Sequence, residues 1–134
     1  MAKVHKTREF DKPADEVWGV IGDFHGMHKW VDGIEPSESL EGGTKRRFVM
    51  GGGQMVERLV EEGNRSYTYT IEEGALPVAN YEATLSVKEN GTDACIVDWV
   101  GTFEPAEGGT EESAVQIVEM VYEGGLAAME KKFA

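Results

Sequence analysis

Cysteine is almost absent. Cys95 is the only one among 134 residues, which excludes an internal disulfide and a thiolate metal cage. Basic side chains are scarce as well. Thirteen Lys and Arg stand against 25 Asp and Glu, a formal net charge of −12, and a surface of that sign repels phosphate backbones and anionic lipid heads. Neither nucleic acid nor membrane insertion is expected. No apolar run approaches membrane-spanning length. The segment Met1-Ala2-Lys3-Val4-His5-Lys6-Thr7-Arg8 is polar and lacks the apolar centre of a signal peptide, so the expected location is cytoplasmic. Catalytic signatures are missing too: there is no Ser-His-acid set in a recognisable context, no Cys-His pair and no dinucleotide fingerprint. Gly51-Gly52-Gly53 is not a phosphate loop, because no Lys-Ser/Thr pair follows and no helix begins there. No cofactor is expected.

What the chain does have is alternation. Tyr67-Thr68-Tyr69-Thr70-Ile71 and Asn80-Tyr81-Glu82-Ala83-Thr84-Leu85-Ser86-Val87-Lys88 alternate strictly on either side of Glu73-Gly74-Ala75-Leu76-Pro77. Successive strand side chains point to opposite faces. One face therefore collects Tyr67, Tyr69, Ile71, Tyr81, Ala83, Leu85 and Val87, while the other carries polar residues that suit water. Tyrosines on an otherwise apolar face need hydrogen-bond partners once buried. A ligand pocket reads this way, and so does a core that satisfies its own phenols.

Residues 2–10 read as a strand, although Val4 and Phe10 share their parity with Lys6 and Arg8. A helix starts at Asp11-Lys12-Pro13, with Asp15 and Glu16 at its positive end and Val17, Trp18, Ile21 and Phe24 on its apolar side. A second short helix or turn covers His25 to Val31. Strands follow at 34–40, 45–50, 54–61, 66–73, 80–88 and 94–104, separated by glycine-rich turns. A long helix runs from Glu111 to Phe133, with Ala114, Ile117, Val118, Val121, Tyr122, Leu126 and Met129 on its apolar stripe. Runs of strands between helices argue for an α+β domain spanning residues 1–134, its antiparallel sheet curling around the last helix.

Several motifs in order carry a family resemblance. Pro13-Ala14-Asp15-Glu16-Val17-Trp18, Gly22-Asp23-Phe24 with Trp30 after it, and Glu57-Arg58-Leu59 form the first part. Leu76-Pro77-Val78 with Asn80-Tyr81, then Trp99 and Phe103-Glu104-Pro105, complete it. Over residues 3 to 133 the chain resembles the SRPBCC superfamily of START-related proteins, in its bacterial polyketide cyclase/dehydrase-like branch. The resemblance implies a helix-grip fold: a seven-stranded curved antiparallel sheet around the long C-terminal helix, with two short helices between strands 1 and 2. The plant abscisic acid receptors share this arrangement. By that likeness Met50-Gly51-Gly52-Gly53 matches a gate loop and Glu73 to Val78, with Gly74, Leu76 and Pro77, a latch loop. Ligand-facing positions match Glu57, Tyr69, Ile71, Tyr81, Ile117, Val121 and Gly125, with His28 near the receptors' pocket lysine and Trp99 in place of a second pocket carboxylate. The receptors' gate Leu-Pro is missing here, so a hormone-receptor role is not implied.

Strand 54–61 carries one charge on each face, and the resemblance turns Glu57 inward. A carboxylate facing an apolar cavity has its charged form disfavoured and could donate to a ligand carbonyl or transfer a proton. The plainer alternative is a structural carboxylate paired with an arginine or water. Lys45-Arg46-Arg47 reads as a solvated strand making local ion pairs. His25 and His28 could meet near Asp23 or Asp32, but two histidines without further ligands do not make a metal site, and no metal is expected. Gly124-Gly125 inside a helix costs about 1 kcal/mol per residue relative to alanine. Close packing or room for a ligand beside Gly125 would offset that, the second being preferred. Three functions are consistent with these residues. The first is binding of a small hydrophobic or aromatic ligand, with no catalytic residue beyond Glu57 as best candidate. The second is a cyclase or dehydratase using Glu57 or a tyrosine as proton shuttle, and the third a protein-interaction module. A homodimer is compatible with each.

Overall fold

The computed structural model describes residues 1–31, 34–50, 53–74 and 76–134. The elements in order are β1 (Ala2–Phe10), α1 (Ala14–Ile21), a 3-10 turn (Met27–Lys29) and β2 (Glu38–Leu40). A second 3-10 turn (Glu41–Gly43), β3 (Lys45–Met50), β4 (Gly53–Gly63) and β5 (Ser66–Glu73) come next. β6 (Val78–Glu89), β7 (Cys95–Pro105) and α2 (Glu111–Lys132) close the chain. The seven strands form one sheet in the order β1-β7-β6-β5-β4-β3-β2, and every neighbouring pair is antiparallel. This is the α+β helix-grip arrangement expected. β2 is shorter than its expected span of 34–40 because Pro36 has no N–H to give to a ladder. The glycine-rich separator after it winds into the turn Glu41–Gly43.

Register shifts between Val56 and Glu57, Leu59 and Glu61, and Ala79 and Glu82 interrupt the ladders of β4 and β6. Such bulges bend a strand and sharpen its twist, and here they curl the sheet's inner face around α2. That face carries Tyr67, Tyr69, Tyr81, Ala83, Leu85 and Val87, all buried. α2 answers with Ala114, Val118, Tyr122, Leu126 and Met129, spaced by four, four, four and three residues and fully buried. Burying an aliphatic side chain of this kind contributes about 1.5–3 kcal/mol, so this stripe docks the helix. Thr110 caps α2 by accepting the Ser113 N–H at 3.2 Å, a contact typically worth about 1 kcal/mol. Gly101 on β7 permits the close approach, because a Cβ there would run into the Tyr122 hydroxyl.

The mixed parity of β1 has a structural answer. Val4 and Phe10 are in the core, whereas Lys6 and Arg8 on the same side reach the acidic flank of α2. Lys6 Nζ lies 3.2 Å from Glu119, and Arg8 lies 2.8 Å from Glu123 and 3.2 Å from Glu130. Among the described residues, no helix is long and apolar enough to cross a membrane.

Candidate ligand-binding site

Between the concave face of the sheet and α2 lies a cavity of about 280 Å³. Its sheet wall is Arg46, Phe48, Met55, Glu57, Tyr69, Ile71, Tyr81 and Trp99. α2 contributes Met120, Val121, Gly124 and Gly125, and the segment after α1 contributes Met27, Trp30, Val31 and Ile34, with Leu76 completing the lining. Met120 is 72% exposed and marks the open side.

The charged end of this cavity is a buried ion pair. Arg46 and Glu57 face each other across β3 and β4, and both are buried. Arg46 donates from Nε at 2.8 Å and from an Nη at 2.6 Å to the same oxygen, Glu57 Oε1, and from its other Nη to the Phe24 carbonyl at 2.6 Å. The Phe24 ring lies 4.1 Å from the guanidinium carbon, a cation–π distance. Burial opposes the Arg46 charge, but Glu57 and the nearby phenols of Tyr67 and Tyr69 outweigh it and hold its pKa above the ordinary arginine value. Glu57 Oε2 accepts no hydrogen bond from any described residue.

This corrects one expectation and separates two readings. Arg46 is not on a solvated face: alternation sends Lys45 and Arg47 outward and turns Arg46, like Phe48, into the core. Lys45 pairs with Glu41 at 2.5 Å and with Glu72 at 2.6 Å, and Arg47 pairs with Glu38. Glu57 faces inward, but it is an acceptor for a guanidinium rather than a lone carboxyl in an apolar cavity. The plainer of its two readings fits the geometry.

Beside the ion pair runs a chain of phenols. Trp99 Nε1 donates to the Tyr69 hydroxyl at 3.1 Å, Tyr69 and Tyr81 hydroxyls are 3.4 Å apart, and Tyr81 and Tyr122 are 2.5 Å apart. Trp99 also stacks on Tyr122 with ring centroids 4.5 Å apart. Burial pushes all three phenols above the ordinary tyrosine pKa, so each keeps its proton near neutrality. Three hydroxyl protons share two phenol–phenol contacts, which leaves one proton over. Tyr122 is fully buried and outside the lining, and an unsatisfied donor there would cost about 1–3 kcal/mol. The spare O–H therefore falls to Tyr69 or Tyr81, which line the cavity.

The structure places the expected residues unevenly. Glu57, Tyr69, Ile71, Tyr81, Trp99, Val121, Gly125 and Leu76 lie along the cavity. Ile117 sits one turn before Val121 and outside the lining. His28 is on the 3-10 turn, outside the lining, while its neighbours Met27 and Trp30 take the wall. Pro77 is likewise outside; its carbonyl accepts the Ala106 N–H at 3.0 Å. Gly74 packs so closely on Met55 that a Cβ would approach its sulfur to 2.5 Å. Gly53 opens β4, whereas Gly51 and Gly52 of the gate, Ala75 of the latch and Asp32 lie outside the described residues. His25 engages the Gly43 carbonyl through Nε2 at 2.9 Å.

The preference for ligand room beside Gly125 is corrected: a Cβ there would lie 2.5 Å from Trp99 Cζ3, so close packing occupies that space. Gly124 has nothing within 4 Å of its Cβ position. Arg46 and Gly124 are lining residues that sequence reasoning misses, as is the support that Tyr122 gives Tyr81 from behind the wall. The shared parity of Arg46 and Phe48 is the signal for the first.

Comparison with known proteins agrees with this fold. A family model described as polyketide cyclase / dehydrase and lipid transport matches residues 1–134. The protein XoxI from Bacillus cereus is 35% identical, with a TM-score of 0.91 over 99% of this chain and 96% of that one. A putative uncharacterized protein from Bacillus thuringiensis is 34% identical, with a TM-score of 0.91 over 98% of both chains. The Zhui aromatase/cyclase from a Streptomyces species is 21% identical, with a TM-score of 0.73 over 95% of this chain and 87% of that one, a likeness of fold alone. Among curated proteins none matches the chain.

Proposed function

The chain belongs to the polyketide cyclase / dehydrase and lipid transport family, and from that premise we propose that it binds a small, mainly apolar or aromatic molecule in the cavity between the sheet and α2. The observation that carries this reading is the lining itself. Aliphatic, sulfur and aromatic side chains cover most of the wall, and the polar groups gather around Arg46, Glu57 and the phenols. A pocket of that composition buries an apolar body and orients it through few polar contacts. Binding is favoured over chemistry because Glu57 is tied to a counter-charge and the phenols hold their protons too tightly to act as bases. Glu57 Oε1 is held by Arg46, and the phenols are pushed away from the pKa a general base needs near neutrality.

Native mass spectrometry of the purified protein, with extraction and identification of any bound molecule, is the first test. The second is titration with naphthalene, followed through the indole N–H resonances of Trp30 and Trp99. Val121→Phe projects extra volume from α2 into the cavity and should weaken naphthalene binding about tenfold, a loss of about 1.4 kcal/mol, with the circular dichroism spectrum unchanged. Equal binding in the folded variant would place the site elsewhere.

A further inference from the structure

Resting on that reading, we infer that the ligand is an uncharged one- or two-ring compound bearing a hydroxyl, and that the cavity discriminates against carboxylates.

Size follows from the volume. An apolar cavity of about 150 Å³ takes a benzene molecule, so one of about 280 Å³ suits one or two rings. Charge follows from the pairing. Among the described lining residues Arg46 is the only cation, and it already faces Glu57 and spends N–H groups on Oε1 and on the Phe24 carbonyl. Its charge is compensated inside the protein, and an incoming carboxylate would meet the Glu57 oxygens without a free counter-ion. Burying an unpaired charge is strongly unfavourable, and the net charge of −12 opposes anions further. Functional-group identity follows from what is left unsatisfied. Glu57 Oε2 is an acceptor without a described partner, while the spare phenol O–H of Tyr69 or Tyr81 and the buried indole N–H of Trp30, which has no partner among the described residues, are donors. A ligand hydroxyl supplies the complement of both, donating to the carboxylate and accepting from the phenol. A ketone or ether supplies the acceptor alone.

The experiment is a titration at pH 7 with 2-naphthol, naphthalene and 2-naphthoate, read from the Trp30 and Trp99 indole resonances. The expected order on the wild-type protein is 2-naphthol about tenfold tighter than naphthalene and at least about 100-fold tighter than 2-naphthoate. Glu57→Gln keeps the shape and an acceptor for Arg46 but leaves the guanidinium uncompensated. 2-Naphthoate should then gain at least about tenfold, and its disadvantage against 2-naphthol should shrink or reverse. If that variant does not fold, Arg46→Met combined with Glu57→Leu serves instead, removing the acceptor together with its counter-charge: the preference for 2-naphthol over naphthalene should narrow to within about threefold. Wild-type binding of 2-naphthoate as tight as that of 2-naphthol, or no preference for 2-naphthol over naphthalene, overturns the inference while leaving the cavity reading intact. Failure of all three probes to bind overturns both.

Discussion

Two groups of charges in this protein share their chemistry and differ in their surroundings. The side chains of Arg46 and Glu57 are 4% and 7% exposed, whereas those of Arg8 and Glu123, between β1 and α2, are 29% and 45% exposed. Both pairs hold short guanidinium–carboxylate bonds, so geometry alone does not separate them. Solvent does. Water screens the clasp on α2 and supplies substitute partners when it opens, which is why exposed pairs contribute little to stability. The cavity pair has no such substitute, so removing one member strands a charge in the core. Sequence separates them in a second way: the clasp joins residues more than a hundred positions apart, and the cavity pair joins neighbours across a hairpin.

The largest expected effect breaks the buried pair. Arg46→Ala or Glu57→Ala alone should destabilise the protein by about 3–5 kcal/mol, and replacing both with Met and Leu of similar bulk should recover most of that loss. Urea unfolding of the two single variants and the double variant measures it, and the losses should be insensitive to salt. Single losses below about 1 kcal/mol would place the pair in contact with water like the clasp.

The phenols sharpen the same contrast on the buried side. All four tyrosines of the chain, Tyr67, Tyr69, Tyr81 and Tyr122, are buried and have raised pKa values, with burial the largest cause in each. A phenol whose folded pKa is raised holds its proton more tightly when folded, so its stabilisation is complete below its unfolded pKa near 10. Above that, stability falls with rising pH by up to about 1.4 kcal/mol per phenol per pH unit. Absorbance at 295 nm should therefore show no phenolate near pH 10. It should rise only with unfolding, in step with the loss of circular dichroism. A gradual rise near pH 10 in a folded protein would mean that water reaches the phenol chain.

Much of this architecture is legible in the sequence. Strict alternation in 66–73 and 80–88 reveals which tyrosines face inward, and the apolar spacing of 111–133 reveals the gripping helix, because both signals are periodic and local. The cavity's charged end is half legible. The family resemblance turns Glu57 inward, yet Lys45-Arg46-Arg47 looks like three equivalent solvated cations. Composition obscures what parity contains, since Arg46 alternates into the core with Phe48. Gly125 misleads for another reason. A glycine in a helix announces a close approach without naming what approaches, and only the sheet's curvature brings the Trp99 ring there. The extent of the lining along α2, which omits Ile117 and includes Gly124, likewise depends on how far the bulged strands curl.

The smallest effect is expected at the clasp, and its sign distinguishes it from the cavity pair. The Glu123 carboxyl is held below its ordinary pKa chiefly by its hydrogen bond to Arg8, with the charges of Arg8 and Lys6 adding to it and desolvation opposing. A carboxylate with a depressed folded pKa contributes stability that is fully present above its unfolded pKa, about 4.3, and that disappears as pH falls through the folded value. Glu123→Gln should thus melt slightly below wild type at pH 7, and the two should converge as the pH is lowered below 4. The exposed position adds a second signature. Added salt at neutral pH should close the same gap, because exposed charges are screened over a Debye length of about 10 Å at 0.1 M and about 3 Å at 1 M. Thermal melts of both proteins across pH 3–7, at low and high salt, provide the check. A gap that persists in acid and in salt would show that the Glu123 charge is not its source, because glutamine keeps the same methylene stem and differs only in the terminal group.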